Sequence, residues 1–199
     1  MSQIPIPRGP TREIAPNDVA AEEAALLARV AAHEQAAFEV LYRTYRPRLR
    51  HFLLRMTRRQ ALAEDVLEET MLVVWRRART FNGACKPSTW IFAIAWRQAL
   101  KALRNLDEPV EMPDFDTLRS PSSGPDGELH RQQTGARLRA AMAGLSADHR
   151  AVIELTYYQG YACREIAQIM HCPVDTVKTR MFYARRRLKT LLMSLREDV

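Results

Sequence analysis

The chain reads as an all-α protein, two small helical domains joined by a flexible acidic linker. Three observations predict this. Glycine is scarce, with 7 among 199 residues, and no β-branched alternation marks a strand. Apolar residues recur at steps of three and four through most of the sequence, the spacing of a helical stripe. One central stretch, Leu106–Glu128, holds four prolines and seven acidic residues against the single base Arg119. Such a composition cannot bury enough apolar surface to order itself.

Residues 1–19 carry Pro5, Pro7, Pro10 and Pro16 and are expected to form a disordered arm. They lack the apolar run of a secretory signal. The first domain is expected over residues 20–105. In it Glu22–Ala32 is helical by composition, and Ala36–Tyr45 places Phe38, Leu41, Tyr42 and Tyr45 for burial. Pro47 is expected to open a separate helix with Leu49, Phe52, Leu53 and Met56 inward, because proline favours a first helical turn. Leu62–Thr80 reads as a long helix, and Ser88–Asn105 as another, with Ser88 as its cap.

After the linker at residues 106–128, the second domain spans residues 129–195. It begins with Arg131–Gly144 and continues with Ser146–Tyr158, for which Ser146 is the expected N-cap. Cys163–Met170 is short and amphipathic, with Ile166, Ala167 and Met170 inward; His171, Cys172 and Pro173 interrupt it. A last helix starts at Val174. Its residues Val177, Met181, Ala184, Leu188 and Leu191 step by four, three, four and three. Helix, tight connection and basic helix make a helix-turn-helix with the second helix as reader.

Net charge is +7 and the isoelectric point is near 9.7, which favours a polyanionic partner, nucleic acid or an acidic membrane surface. No apolar run reaches the ~20 residues of a membrane span. The three cysteines, Cys85, Cys163 and Cys172, form no C-x-x-C pair and fit a reducing compartment. Cys163, His171 and Cys172 could converge on a metal, but no fourth ligand is evident, and packing around a turn is the simpler reading. No cofactor or metal is expected. With no nucleophile–base set and no phosphate loop, the chain is expected to work by binding rather than catalysis.

Three surfaces carry that expectation. Between Val174 and Lys189 there are six Lys and Arg against one Asp. Thr176, Thr179, Arg180, Tyr183 and Arg187 share the face opposite the apolar stripe, flanked by Lys178, Arg185 and Lys189, with Arg186 between. Arginine pairs with guanine edges in the major groove and threonine touches bases or phosphates. On Ser88–Asn105, Phe92, Trp96, Ala99 and Leu103 form one stripe. Trp90, Ile94, Arg97, Lys101 and Arg104 form the other, a basic track with an aromatic at its head that suits a phosphate backbone and a stacked base. The preceding loop, Asn82, Gly83, Ala84, Cys85 and Lys86, turns tightly at Asn82–Gly83 and could house one extruded base. Glu64, Asp65, Glu68 and Glu69 open the long helix. They complement its dipole, yet Glu64/Glu68 and Asp65/Glu69 repel at i,i+4, so an acidic patch kept there points to a basic partner.

Two blocks then match one family. Ala37-Phe-Glu-Val-Leu-Tyr-Arg-Thr-Tyr45, Ala63-Glu-Asp-Val-Leu-Glu-Glu-Thr70, Trp75 and Pro87-Ser-Thr-Trp-Ile91 resemble region 2 of bacterial sigma factors. Leu145-Ser-Ala-Asp-His-Arg-Ala-Val152, Glu165-Ile-Ala167 and Thr176-Val-Lys-Thr-Arg180 resemble region 4. Their order and the short tether are similar to the extracytoplasmic-function (ECF) group. The resemblance implies a protein that binds core RNA polymerase and promoter DNA and helps open the duplex. It implies that Asp65, Glu68, Glu69 and Trp75 dock on the polymerase clamp and that the Asn82–Lys86 loop captures a flipped base of the minus-ten element. The helix bearing Trp90, Arg97, Lys101 and Arg104 then edges the melted region. Thr176, Lys178, Thr179, Arg180, Tyr183, Arg186 and Arg187 read the minus-thirty-five element, and the acidic tether follows the RNA exit path. It further implies a cognate anti-sigma protein and a cytoplasmic location, at the inner membrane where that partner is membrane-bound. Three features depart from the family's habit: His171 in the turn, Ala162 as helix cap, and the pair Trp96-Arg97 for the usual Arg-Asn.

Two other readings compete. A stand-alone helix-turn-helix regulator dimerises on paired half-sites, and the sequence offers no dimer helix or ligand domain for that. An enzyme on a helical scaffold would need its chemistry gathered, whereas His33, His51, His130 and His149 are dispersed.

Overall fold

A computed structural model describes residues 16–105 and 135–197. The helices are α1 Pro16–Ala31, α2 Gln35–Thr57, α3 Gln60–Arg77, α4 Pro87–Arg104, α5 at residues 135–143, α6 Ala147–Tyr157, α7 Cys163–Met170 and α8 Val174–Glu197. A 3₁₀ turn, Ala78–Thr80, closes α3. The linker and the first fifteen residues lie outside the described residues, so the expectations for them do too. Residues 16–19, expected in the arm, are instead the first turn of α1.

The first lobe packs α1 to α4 around Leu27, Leu41, Tyr45, Leu49, Phe52, Leu67, Met71 and Phe92, all closed to solvent. Pro47 does not begin a helix. α2 runs straight through it from Gln35 to Thr57. The missing proline N–H removes one backbone bond, but Tyr45, Leu49, Phe52 and Leu53 bury the stripe on both sides of it. Roughly 1.5–3 kcal/mol per buried side chain of that size offsets the loss. Pro47 thus sits within a helix held by packing rather than by propensity. Ser88 is not a cap either. Pro87 occupies the first turn of α4, and Lys86, with φ −63° and ψ 146°, is the extended residue before it, the entry that proline prefers.

The second lobe seats α8 on α6 and α7 through Val177, Met181 and Ala184. Ser146 caps α6: its Oγ accepts the His149 N–H at 3.3 Å. Ala162 offers α7 no capping oxygen, but the Glu165 carboxylate accepts the Ala162 N–H at 2.9 Å, half of a capping box. α7 ends at His171, whose φ of 52° and ψ of 53° are left-handed. The helix-turn-helix therefore closes on a residue with a Cβ where glycine is the unstrained choice.

The lobes also meet, α4 against α7 and α2 against α6. The Phe92 and Tyr161 rings lie edge to face at 5.3 Å. Arg150 of α6, nearly buried, donates through Nη1 to the Met56 and Arg55 carbonyls of α2 at 3.0 and 3.3 Å, and through Nη2 to Leu145 O at 2.8 Å. Burial, with Arg58 nearby, pushes its guanidinium down to about 10. Lys86 Nζ reaches Glu165 Oε1 at 2.8 Å. The two helical lobes expected from the sequence therefore dock directly on one another in this arrangement.

Candidate nucleic-acid interface

The reading helix comes first. Val177, Met181 and Ala184 of α8 are buried, so Thr179, Tyr183, Arg186 and Arg187 face outward, with Lys178 exposed beside them. Thr176 is half-buried. Lys178 Nζ pairs with Asp175 Oδ1 at 2.9 Å, an exposed contact of small net energy that leaves the lysine free to exchange it for a phosphate. Arg180 differs from its neighbours. Its Nη2 lies 2.5 Å from Oδ2 of Asp148 in the first turn of α6, and its side chain keeps 27% exposure. Its Nη1 donates to Cys172 Sγ at 3.7 Å.

Two residues of this surface escape sequence reasoning. Phe182 is 62% exposed, and its ring meets that of Tyr183 at 5.4 Å. Its place off the Val177–Met181–Ala184 stripe was the available signal. Asp148, which holds Arg180, gives none, because the two are 32 positions apart (180 − 148).

The second surface is the loop before α4. Asn82 Oδ1 accepts the Ala84 N–H at 3.1 Å, which fixes the turn, and Gly83 takes φ 73° with open space about its Cα. Asn82, Gly83, Ala84 and Lys86 are exposed. Cys85 is half-buried, and burial pushes its thiol up. Trp90 is half-buried, its ring edge-on to Phe81 at 5.8 Å. Arg97, Lys101 and Arg104 line the outer face of α4 as expected. Ile94 does not join them. It is 3% exposed and belongs to the core, because α4 is covered by α3 on one side and α7 on another, leaving a narrower outer stripe than one helix pair would.

The third surface is on α3. Asp65, Glu68 and Glu69 are exposed, with Leu72 exposed one turn on. Tyr42 donates to Glu68 Oε1 at 2.6 Å. Trp75 is half-buried, edge-on to Phe38 at 5.0 Å and His33 at 5.4 Å. Glu64 stands apart from the patch: Arg50 Nε holds it at 2.5 Å and Arg46 at 4.0 Å. Those two arginines offset the Glu64/Glu68 repulsion, and the Glu64 carboxylate is spent inside the lobe.

The structure thus gathers the expected residues on three faces rather than in one cleft. Among the described residues no three His, Cys, Asp or Glu side chains converge as metal ligands, and no helix is long and apolar enough to cross a membrane. Cys163, His171 and Cys172 do not form such a group.

Residues 41–108 match the family model of Sigma-70 region 2, and residues 135–188 that of Sigma-70, region 4. The chain is 31% identical over 166 residues to the ECF RNA polymerase sigma factor SigL of Mycobacterium tuberculosis, covering 83% of this chain and 94% of that one. It is 32% identical over 159 residues to the ECF RNA polymerase sigma factor RpoE of Cereibacter sphaeroides, covering 78% and 86%. Among solved structures, CnrH in complex with the cytosolic domain of CnrY is similar with a TM-score of 0.64 at 22% identity, over 86% of this chain and 97% of that one. The sigma factor RpoE of Bartonella quintana, in complex with the anti-sigma factor NepR, is similar with a TM-score of 0.61 at 23% identity, over 78% and 96%. At such identities the structural likeness carries the fold.

Proposed function

The chain belongs to the sigma-70 family of bacterial RNA polymerase sigma factors, in its ECF group, and from that premise we propose how its faces divide the work of initiation. It is an alternative sigma factor, which directs promoter-specific transcription initiation by core RNA polymerase. The observation that carries the residue-level reading is the agreement between the two matched regions and the exposed faces. The region 2 match presents an acidic face on α3 and a basic one on α4, and the region 4 match a basic face on α8, each away from its core.

In this reading residues 20–105 are the region 2 domain and residues 129–195 the region 4 domain. Asp65, Glu68 and Glu69 on α3, with Trp75 bracing the helix, dock on a basic surface of the polymerase clamp. The loop Asn82, Gly83, Ala84, Cys85 and Lys86 holds one base of the minus-ten element out of the stack. Unstacking costs a few kcal/mol, which the pocket offsets by hydrogen bonds and by stacking near Trp90. Arg97, Lys101 and Arg104 follow the adjoining backbone. On α8, Thr179, Tyr183 and Arg186 meet base edges of the minus-thirty-five element, while Lys178, Arg187 and the half-buried Thr176 hold phosphates. Arg180 serves the same face from its seat on Asp148. The protein contributes binding energy alone, and polymerase raises the effective concentration of each lobe at its element.

An anti-sigma protein is proposed as a further partner. The support is that similar structures are complexes, CnrH with the cytosolic domain of CnrY and a sigma factor with the anti-sigma factor NepR. The chain then acts in the cytoplasm, held at the inner membrane where that partner is membrane-bound.

Run-off transcription with purified core polymerase and a pool of genomic promoters tests the reading. Defined transcripts that share two spaced elements are the expected result. No transcription above core polymerase alone overturns it.

A further inference from the structure

Arg180 is the cation of the reading face whose guanidinium pairs with a carboxylate of another helix; Arg185, beside that face, instead lies over the Tyr157 ring of α6 at 5.5 Å. The Arg180 Nη2 lies 2.5 Å from Asp148 Oδ2, the two side chains 27% and 40% exposed. Its Nη1 donates to Cys172 Sγ at 3.7 Å, in the turn between α7 and α8. One planar guanidinium thus ties three parts of the second lobe: the first turn of α6, the helix-turn-helix connection, and α8. The apolar seat of α8 cannot do this alone. Val177 and Ala184 are small, and a stripe of apolar contacts fixes which face is buried more firmly than the exact roll of the helix. The roll matters. With side chains the helix radius is about 5–6 Å, so a roll of about 20° carries a side-chain tip about 2 Å. Donor–acceptor distances of useful hydrogen bonds span only about half an ångström. A partly buried arginine–carboxylate pair has the rigidity and directionality to resist such a roll, which an exposed lysine pair lacks.

We propose that Asp148 is a positioning residue for upstream-element recognition: by holding the Arg180 guanidinium it sets the roll of α8, and so decides which of Thr179, Tyr183 and Arg186 meet base edges. The proposal rests on the reading of α8 as the promoter-reading helix. Arg180 then acts through geometry, and the bases are read by its neighbours.

The test is run-off transcription by the full chain with core polymerase, over promoters randomised in the upstream element. The variants are Asp148→Asn, Arg180→Gln, the pair together, and Ser146→Ala. The last removes the α6 cap two residues before Asp148 without touching Arg180. The expected result is that Asp148→Asn and Arg180→Gln each flatten base preference about tenfold at several positions. The double variant goes no further, and Ser146→Ala keeps the wild-type profile while lowering thermal stability. Three results would overturn the proposal: an unchanged profile in Asp148→Asn; a loss at one base pair alone in Arg180→Gln, the mark of direct readout; or equal flattening by Ser146→Ala, the mark of general loosening. A wild-type chain with no upstream preference at all would remove the parent reading instead, and that arm is scored separately.

Discussion

His51 Nδ1 on α2 lies 2.8 Å from Oε1 of Glu154 on α6, a carboxylate with no exposed surface. Among the described residues no other hydrogen-bond donor reaches either Glu154 oxygen. The contact is a hydrogen bond when Nδ1 carries the ring proton. A buried carboxyl group with one close partner is held at the junction of two lobes that are covalently joined by a linker alone. His51→Ala leaves that carboxyl group without a partner, at a cost of about 1–3 kcal/mol if the lobes stay docked. Separation hydrates the carboxylate and avoids the cost. The variant is therefore expected to have a larger radius of gyration by small-angle scattering with unchanged helix content; an unchanged radius with a lower melting point would show that docking survives the loss.

The Lys86–Glu165 pair joins the lobes on their other side. Burial raises the Glu165 carboxyl, but hydrogen bonds from Lys86 and from the Ala162 N–H, with the Lys86 charge, outweigh it and leave the group below its ordinary 4.5. A depressed folded value means stability that is present above pH 4.5 and lost as pH falls through the folded value. Glu165→Gln keeps an acceptor for Ala162 and removes the titration. Melting curves from about pH 6 to about pH 3 should therefore fall less steeply in the variant than in the wild type. Parallel curves would mean the pair does not contribute.

Phe92 is fully buried, with Phe52 at 5.4 Å on one side and Tyr161 at 5.3 Å on the other. Phe92→Ala opens a cavity at the contact of the two lobes and should cost about 3–5 kcal/mol in denaturant unfolding. A loss below about 1 kcal/mol would mean that the lobes close over the space.

Arg187 is assigned to phosphate and Arg186 to bases. Arg187→Ala should weaken binding of the polymerase complex equally on matched and scrambled upstream elements, and should lower the salt slope by about one. Arg186→Ala should instead cost about 1–3 kcal/mol on the matched element and less on the scrambled one. Equal losses in both variants would place Arg186 on the backbone.

Replacing Asn82–Lys86 by an unrelated loop of the same length should shift downstream-element preference in a randomised promoter library. The Asn82 Oδ1 contact and the left-handed Gly83 shape this loop locally, so α3 and α4 should fold as before by circular dichroism. A library profile identical to the wild type would remove the base pocket.

Legibility in the sequence followed the range of the interaction. The buried stripe of α8, the Ser146 cap and the interruption at His171 are local, set by neighbours three or four positions away, and each was readable. Pro47 was misread because its local preference is real but loses to the packing of Tyr45, Phe52 and Leu53 on either side. Ile94 was misread for a related reason. α4 packs against α1, α2, α3 and α7, and one helix's spacing cannot report how many neighbours it has. Lobe docking was invisible. His51 meets Glu154 and Arg150 meets Met56 across about a hundred positions, and a lone histidine or arginine in a sequence carries no sign of its partner. The acidic face of α3 was readable as composition, but that Glu64 is held by Arg46 and Arg50 was not.

The reach of Arg150 to the Arg55 and Met56 carbonyls has one more consequence. The last turn of α2 is finished by a donor from another lobe, where most helices use a residue of their own or water. When the lobes part, that turn must fray or be solvated anew. Amide hydrogen exchange near the end of α2 is thus a native gauge of separation, readable without any label.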